Sequence, residues 1–210
     1  MGVIVVDMQG DFTTWKEGAL AVPGSNESFV RKVEGATREL KEAGFLIFGT
    51  QDWHLPDHIS FYTNHPGKNP FDVVEVNGRT QVLWPPHCVQ GTENAKILLH
   101  DELFTAIVRK GQNVSFDSYS GFQDDGGMKT DLDMILQTYH VRSLVVYGIA
   151  TDYCVKATAL DAAAMGYEVV VIGELCRGVA MDTTQQAFDA LRGKGIRVVH
   201  ELDIPSLRKW

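Results

Sequence analysis

Cys154 is the residue best suited to covalent chemistry, because it lies where a predicted buried strand turns into a predicted helix. A thiol at a helix N-terminus is close to the positive end of the helix dipole and to unpaired backbone N–H groups, which favour the thiolate. The same N–H groups can hold the oxyanion that forms when a thiolate attacks an amide carbonyl. Cys88 and Cys176 have no comparable neighbours in the sequence and are interpreted as unreactive. Cys154 is therefore the candidate nucleophile.

Asp7 and Lys110 each end a predicted strand and are candidates to activate this thiol. A carboxylate can accept the thiol proton, and an ammonium group can favour negative charge in the pair and orient it. The alternative is that Cys154 is a small buried apolar residue, that Asp7 caps a loop and that Lys110 is solvated. The catalytic interpretation requires the fold to bring the three side chains to one edge of a sheet, and the alternative does not.

Residues 52–58 place two aspartates and two histidines directly after the second predicted strand. An aspartate with two or three histidines suits zinc, manganese or iron(II), and a metal site with open positions can accept a substrate nitrogen or a water molecule. His87, in a loop stiffened by Pro85 and Pro86, is a further candidate ligand. The alternative is a polar loop with surface histidines, because the spacing matches no closed zinc motif.

The elements that must position these residues alternate between strands and helices. Apolar runs and helical spacing predict strands at 2–7, 45–50, 104–108, 143–147, 167–172 and 196–199, and helices at 26–43, 131–140, 153–165 and 182–192. This order predicts an α/β fold, a three-layer α/β/α sandwich around a mainly parallel sheet of about six strands. Ligands bind beyond the carboxyl ends of such strands, where Asp7, Asp52, Lys110 and Cys154 are expected to converge.

The length of 210 residues favours one domain, with a binding insertion at about residues 51–102, where the regular pattern lapses. The net charge of -8 offers no basic surface for nucleic acid. No apolar run approaches the roughly 18 residues that cross a bilayer, and no secretory signal precedes the first strand. We therefore predict a cytoplasmic protein without membrane or nucleic-acid partners, and leave homo-oligomerisation open.

Several motifs resemble those of the nicotinamidase/pyrazinamidase branch of the isochorismatase-like hydrolases, across essentially the whole chain. The matching segments are Val5-Val6-Asp7-Met8-Gln9 with Asp11-Phe12, Gln51-Asp52-Trp53-His54 through His58-Ile59-Ser60-Phe61, Trp84-Pro85-Pro86-His87-Cys88-Val89 with Gly91-Thr92, Lys110-Gly111, Tyr119-Ser120-Gly121-Phe122, and Gly148-Ile149-Ala150-Thr151-Asp152-Tyr153-Cys154-Val155. Together these motifs are specific, although no single one would suffice.

The resemblance implies a metal-dependent cysteine amidohydrolase that converts nicotinamide, and also pyrazinamide, to the acid and ammonia through a thioester, in NAD salvage. It implies a catalytic triad of Asp7, Lys110 and Cys154, and an oxyanion hole at Ala150 and Cys154 beside a cis Ile149-Ala150 peptide. It also implies one divalent ion, zinc foremost with iron or manganese as alternatives, held by Asp52, His54, His58 and His87. The pyridine ring is expected to lie in a pocket formed by Phe12, Trp84 and Tyr119. The alternatives are another amidase or isochorismatase-type hydrolase of the superfamily, or an inactive metal-binding relative.

Overall fold

A parallel sheet flanked by helices forms the framework of the protein in the computed structural model, which describes residues 1–76 and 78–209. Its elements in chain order are β1 (Gly2–Val6), α1 (Glu27–Glu42), β2 (Leu46–Asp52), β3 (Val73–Val76), β4 (Arg79–Val82), β5 (Ala106–Lys110), α2 (Leu132–Thr138), β6 (Ser143–Ile149), α3 (Lys156–Ala164), β7 (Glu168–Arg177), α4 (Met181–Gly193), β8 (Arg197–Val199) and α5 (Ile204–Leu207).

The six strands of the main sheet are ordered β5-β2-β1-β6-β7-β8, and all five neighbouring pairs are parallel. From β1 the chain moves outward to β2 and β5, then returns to β6 and moves outward in the opposite direction. Right-handed crossovers therefore place α1 on one face and α2, α3 and α4 on the other. The predicted three-layer α/β/α fold is confirmed. The reversal between β1 and β6 opens a crevice at their carboxyl ends.

The central strands are apolar on both faces, as expected between two helical layers. Every residue of β1 is buried, and α1 buries a stripe that includes Phe29, Val33 and Leu40. The predicted cap Asn26 begins α1, since its side-chain oxygen accepts a hydrogen bond from the Phe29 N–H at 3.1 Å. The sheet therefore holds its strand ends rigidly.

Several element bounds differ from the prediction. β5 occupies Ala106–Lys110 rather than 104–108, and α5 was not predicted. β7 extends to Arg177 rather than ending at residue 172, because the register shifts after the Val146–Val171 pair and Cys176 then pairs with Gly148 of β6. Gly173 and Glu174 interrupt the apolar run of β7, which is why its end could not be read from hydrophobicity.

The predicted insertion contains more regular structure than a binding loop. β3 and β4 form an antiparallel hairpin, and isolated bridges join His54 to Val89 and Phe61 to Trp84. The segment is thereby tied to itself and to the carboxyl edge of the main sheet.

Most buried apolar side chains of the described residues form one cluster around the sheet. The single domain with an insertion at about residues 51–102 stays a prediction. Within residues 1–76 and 78–209, no helix is both long and apolar enough to cross a membrane. The cytoplasmic location, the absence of a nucleic-acid partner and homo-oligomerisation stay predictions.

Candidate active site

The turn that carries Cys154 differs from the predicted α-helix at 153–165. The peptide between Ile149 and Ala150 is cis, and Thr151–Val155 forms a single π-helical turn before α3 begins. Single π turns inside helices are often found at functional sites. Cys154 is 7% exposed, and together with Ala150 it lines a cavity at the carboxyl edge of the sheet.

Gly148 lets the strand that leads to this turn lie unusually close to its neighbour. Its φ is +136°, and a Cβ built there would lie 2.1 Å from the carbonyl oxygen of Val6. Only glycine fits this backbone conformation and this approach. The position of Cys154 beside the end of β1 therefore depends on a residue without a side chain.

Lys110 joins the charged groups of the site. Its buried ammonium nitrogen lies 3.0 Å from Asp7 Oδ2 and 3.6 Å from Cys154 Sγ. It also donates hydrogen bonds to Asp52 Oδ1 at 2.5 Å and to the Ser118 carbonyl at 2.7 Å. The structure thus brings together the three residues of the predicted triad, from the ends of β1 and β5 and the turn after β6.

Asp7 is held in a constrained position at the end of β1. Its φ of +46° lies in the left-handed region, which is uncommon for a residue with a side chain and is concentrated at functional sites. The Thr50 hydroxyl donates a hydrogen bond to Asp7 Oδ1 at 2.6 Å. Oδ2 is left to face Lys110 and the thiol.

Burial governs the protonation of the triad. It raises the pKa of Cys154 well above that of an ordinary thiol, against the opposing charge of Lys110, and it raises the pKa of Asp7 in the same way. At neutral pH the resting nucleophile is therefore a thiol, and not the thiolate expected from its place at a helix N-terminus. This arrangement suits a carboxylate that removes the proton only as the sulfur attacks.

Asp52, His54 and His87 form a group whose ligand atoms all lie within 4.8 Å of one another. The Nδ1 atoms of His54 and His87 lie 2.8 Å from the carbonyl oxygens of Gly111 and Pro85. A carbonyl oxygen only accepts hydrogen bonds, so these contacts place the proton on Nδ1 and leave the Nε2 lone pairs available. Histidine ligands of metals are usually oriented in this way.

The chemistry of these imidazoles fits a divalent cation, which would replace a proton at His54, because the charge of Asp52 raises the pKa of His54 against the effect of burial. Burial lowers the pKa of His58 and of His87 to about 4, so both rings are neutral at pH 7, as metal ligation requires. The ring of His58 lies 4.3 Å from that of His54, and its Nε2 is buried without a hydrogen-bond partner in the described chain. His58 is not part of the three-residue group, so its role as a ligand stays a prediction.

Gly111 fixes the position of His54. Its φ is +69°, and a Cβ at this residue would lie 2.3 Å from Cε1 of the His54 ring. The absence of a side chain lets the Gly111 carbonyl reach His54 Nδ1. In the motif Lys110-Gly111, Lys110 therefore belongs to the triad and Gly111 holds the ring of His54 through its carbonyl oxygen.

The cavity that joins the two groups has a volume of about 200 Å³. Its lining includes the three aromatic residues predicted for the ring pocket, Phe12, Trp84 and Tyr119. Trp84 Nε1 donates a hydrogen bond to the Tyr119 hydroxyl at 3.1 Å, which fixes two of these rings. A larger groove of about 840 Å³ runs beside β5 and reaches Lys110, but Cys154, Asp52 and His87 do not line it, so the smaller cavity is the candidate site.

Sequence reasoning missed several residues of the cavity wall. Tyr153, Phe71 and Val179 line it, and so does the buried carboxylate of Asp117. Tyr153 could have been found from its place next to Cys154. Asp117 follows β5 by several residues in an irregular loop, and no spacing rule marks it.

A family model described as the isochorismatase domain matches residues 1–201. The nicotinamidase of Escherichia coli is 41% identical over 191 residues, which cover 88% of this chain and 86% of that protein. The structure of the yeast nicotinamidase bound to the inhibitor nicotinaldehyde has a TM-score of 0.87 at 30% identity and covers 95% of this chain and 99% of the other.

The pyrazinamidase of Pyrococcus horikoshii, solved in complex with zinc, has a TM-score of 0.78 at 36% identity and covers 95% of this chain and 98% of the other. These likenesses extend over the strands that carry the triad and over the insertion that carries the imidazoles. With a family model that spans nearly all of its length, the chain belongs to the isochorismatase family of hydrolases.

Proposed function

We propose that the protein is a nicotinamidase, which hydrolyses nicotinamide to nicotinate and ammonia and contributes to NAD salvage. The observation that carries the proposal is a thiol, a carboxylate and an ammonium group in contact within a cavity that also holds an Asp/His group. The nicotinamidase of E. coli and the inhibitor-bound yeast enzyme support the same substrate. Nicotinaldehyde presents an aldehyde carbon where nicotinamide presents its carboxamide carbon, as expected of an inhibitor that meets a nucleophile.

In the proposed reaction, Asp7 takes the proton of Cys154 as the sulfur attacks the carboxamide carbon. The N–H groups of Ala150 and Cys154 donate to the oxyanion that develops. When the C–N bond breaks, Asp7 returns the proton to the nitrogen, and ammonia leaves a thioester on Cys154. A water molecule then attacks the thioester, Asp7 accepts its proton, and nicotinate departs as the thiol is restored.

Asp52, His54 and His87 would hold a divalent ion beside the ring, with His58 as a proposed fourth ligand. When bound, the ion supplies a Lewis acid that accepts the ring nitrogen and fixes the orientation of the ring. Zinc is the ion we propose, since the related pyrazinamidase was solved with zinc and neutral imidazoles suit it. Phe12, Trp84 and Tyr119 would pack around the ring and exclude water.

Pyrazinamide is a second proposed substrate, since it presents the same carboxamide on a ring of similar shape and a relative of known structure is a pyrazinamidase. The residues required for attack are the same for both amides. The ratio of kcat/KM for the two substrates will show whether the pocket distinguishes a second ring nitrogen from a carbon.

The test is ammonia release from nicotinamide by zinc-loaded protein, beside Cys154→Ala and Cys176→Ala. Loss of the nucleophile should lower kcat by about 10⁴-fold or more. Cys176 is also a buried thiol, but it lies outside the cavity, and its variant should keep wild-type activity. If zinc-loaded wild type released no ammonia, or if Cys154→Ala remained active, the proposal would be wrong.

A further inference from the structure

Asp117 is a buried carboxylate that the proposed reaction does not use. It is 4% exposed, follows β5 in the loop before α2, and lines the same cavity as Asp52 and His87. Its Oδ2 accepts a hydrogen bond from Gln81 Nε2 at 3.0 Å, and its Oδ1 accepts one from the Ser118 N–H at 2.9 Å. A buried carboxylate at this depth requires groups that stabilise its charge.

The hydrogen-bond donors to Asp117, Gln81 Nε2 and the Ser118 N–H, are neutral groups. The ammonium of Lys110 contacts Asp7 and Asp52 instead. Hydrogen bonds stabilise an anion without neutralising it, so Asp117 adds negative charge to the cavity wall that also holds Asp52 and His87.

We propose that Asp117 is a positioning residue that attracts and retains the divalent ion from outside the ligand group, by placing a second negative charge beside Asp52, His54 and His87. Asp117 lines the same cavity as Asp52 and His87, although it is not one of the three grouped ligands. A negative charge near a bound cation favours its binding even without a hydrogen bond to a ligand. The inference rests on the proposed function only through the bound ion.

A purely structural role for Asp117 is the alternative. The Gln81 contact attaches the β3–β4 hairpin to the loop after β5, and this contact by itself would explain a buried polar residue. Asparagine at position 117 removes the charge and keeps one accepting oxygen, so either Gln81 or the Ser118 N–H loses its acceptor. A control in which another buried carboxylate with two donors becomes an amide therefore separates the two roles.

Asp124→Asn is the matched control. Asp124 lies in the same loop, is 7% exposed, and accepts hydrogen bonds from Asn113 Nδ2 and the Met128 N–H, each at 2.8 Å. It does not line the cavity. The two substitutions thus each convert a buried carboxylate with two hydrogen-bond donors to an amide, one at a residue that lines the cavity and one at a residue that does not.

The measurement is the zinc dissociation constant of the full-length protein, obtained by competition with a chromophoric chelator. Asp117→Asn should weaken zinc binding by about 10- to 100-fold, while Asp124→Asn keeps wild-type affinity. Equal zinc affinities in the two variants would overturn the proposal. Because ammonia release is not the readout, failure of the proposed function in wild type would leave this comparison valid.

Thermal unfolding of the same proteins supplies a second readout. Zinc should raise the Tm of Asp117→Asn by less than it raises the Tm of Asp124→Asn. A purely structural role would leave these two increases in Tm equal. If Asp117→Asn does not fold, Asp117→Glu is the test, because glutamate keeps the negative charge. A zinc affinity close to that of wild type supports the proposal, and a loss of zinc affinity of tenfold or more contradicts it.

Discussion

The two sides of the cavity differ in how their polar groups find partners. On the nucleophile side, Asp7, Lys110 and Cys154 come from strand ends and contact one another. On the imidazole side, His54 and His87 come from the insertion, and backbone carbonyls hold their Nδ1 atoms while the Nε2 atoms converge. The nucleophile side is preorganised by the chain itself, whereas the imidazole side is arranged to bind a cation.

Lys110→Met breaks the nucleophile side and should have the largest effect. It leaves two buried carboxylates, Asp7 and Asp52, without their ammonium partner, so we expect about 3 to 5 kcal/mol loss in the free energy of unfolding and a decrease in kcat of about 10²- to 10⁴-fold. Urea denaturation and steady-state kinetics measure both. Lys96→Met, at an exposed lysine paired with Glu93, is the control.

Zinc affinity of the folded Lys110→Met variant sharpens the comparison. Removal of a positive charge next to Asp52 should not weaken the binding of a cation. A zinc affinity that fell in proportion to kcat would contradict the division of the cavity into two sides.

His87→Ala breaks the imidazole side and should have an intermediate effect. Loss of a proposed ligand misplaces the ring, so kcat/KM for nicotinamide should fall by about 100-fold, while alkylation of Cys154 by iodoacetamide, compared in zinc-free proteins, keeps its wild-type rate. Mass spectrometry of the modified protein measures the alkylation. His100→Ala, at an exposed histidine near Glu34, should alter neither value. Equal losses in kcat/KM and in alkylation rate would show that His87 also positions the nucleophile.

Gly111→Ala tests the steric support of His54 and should have the smallest effect. The added Cβ would displace the ring, so zinc affinity should fall by about tenfold. Gly127→Ala is the matched control, because Gly127 also has a positive φ, of +90°, but its Cβ would meet open space. Both variants carry the left-handed backbone cost of about 1 to 2 kcal/mol, and only Gly111→Ala should change zinc binding. Identical zinc affinities in Gly111→Ala and Gly127→Ala would show that Gly111 does not fix the position of His54.

The nucleophile side was largely predictable from the sequence, because strand ends can be located from apolar runs. Asp7, Asp52 and Lys110 follow such runs, and the parallel sheet places them on one edge. The predicted end of a strand was wrong where a polar residue lies inside the strand, as Glu174 does in β7.

The imidazole side was predictable only in part. The histidines were visible as residue types close in sequence, but the distance of His87 from His54 depends on loop geometry. Asp117 was missed because its burial arises from contact with Gln81 on a hairpin that the sequence did not predict. Long-range contacts between irregular segments leave no periodic signal.

The single ammonium of Lys110 touches both Asp7 and Asp52, and so makes the two sides one thermodynamically linked system. A change of charge at the sulfur alters the free energy of occupying the imidazole group, and occupation of that group alters the reactivity of the sulfur. For equilibrium binding, linkage requires these two effects to be equal in size. An inhibitor that modifies Cys154 will therefore change the affinity for the ion by the same factor that the ion changes the affinity for the inhibitor.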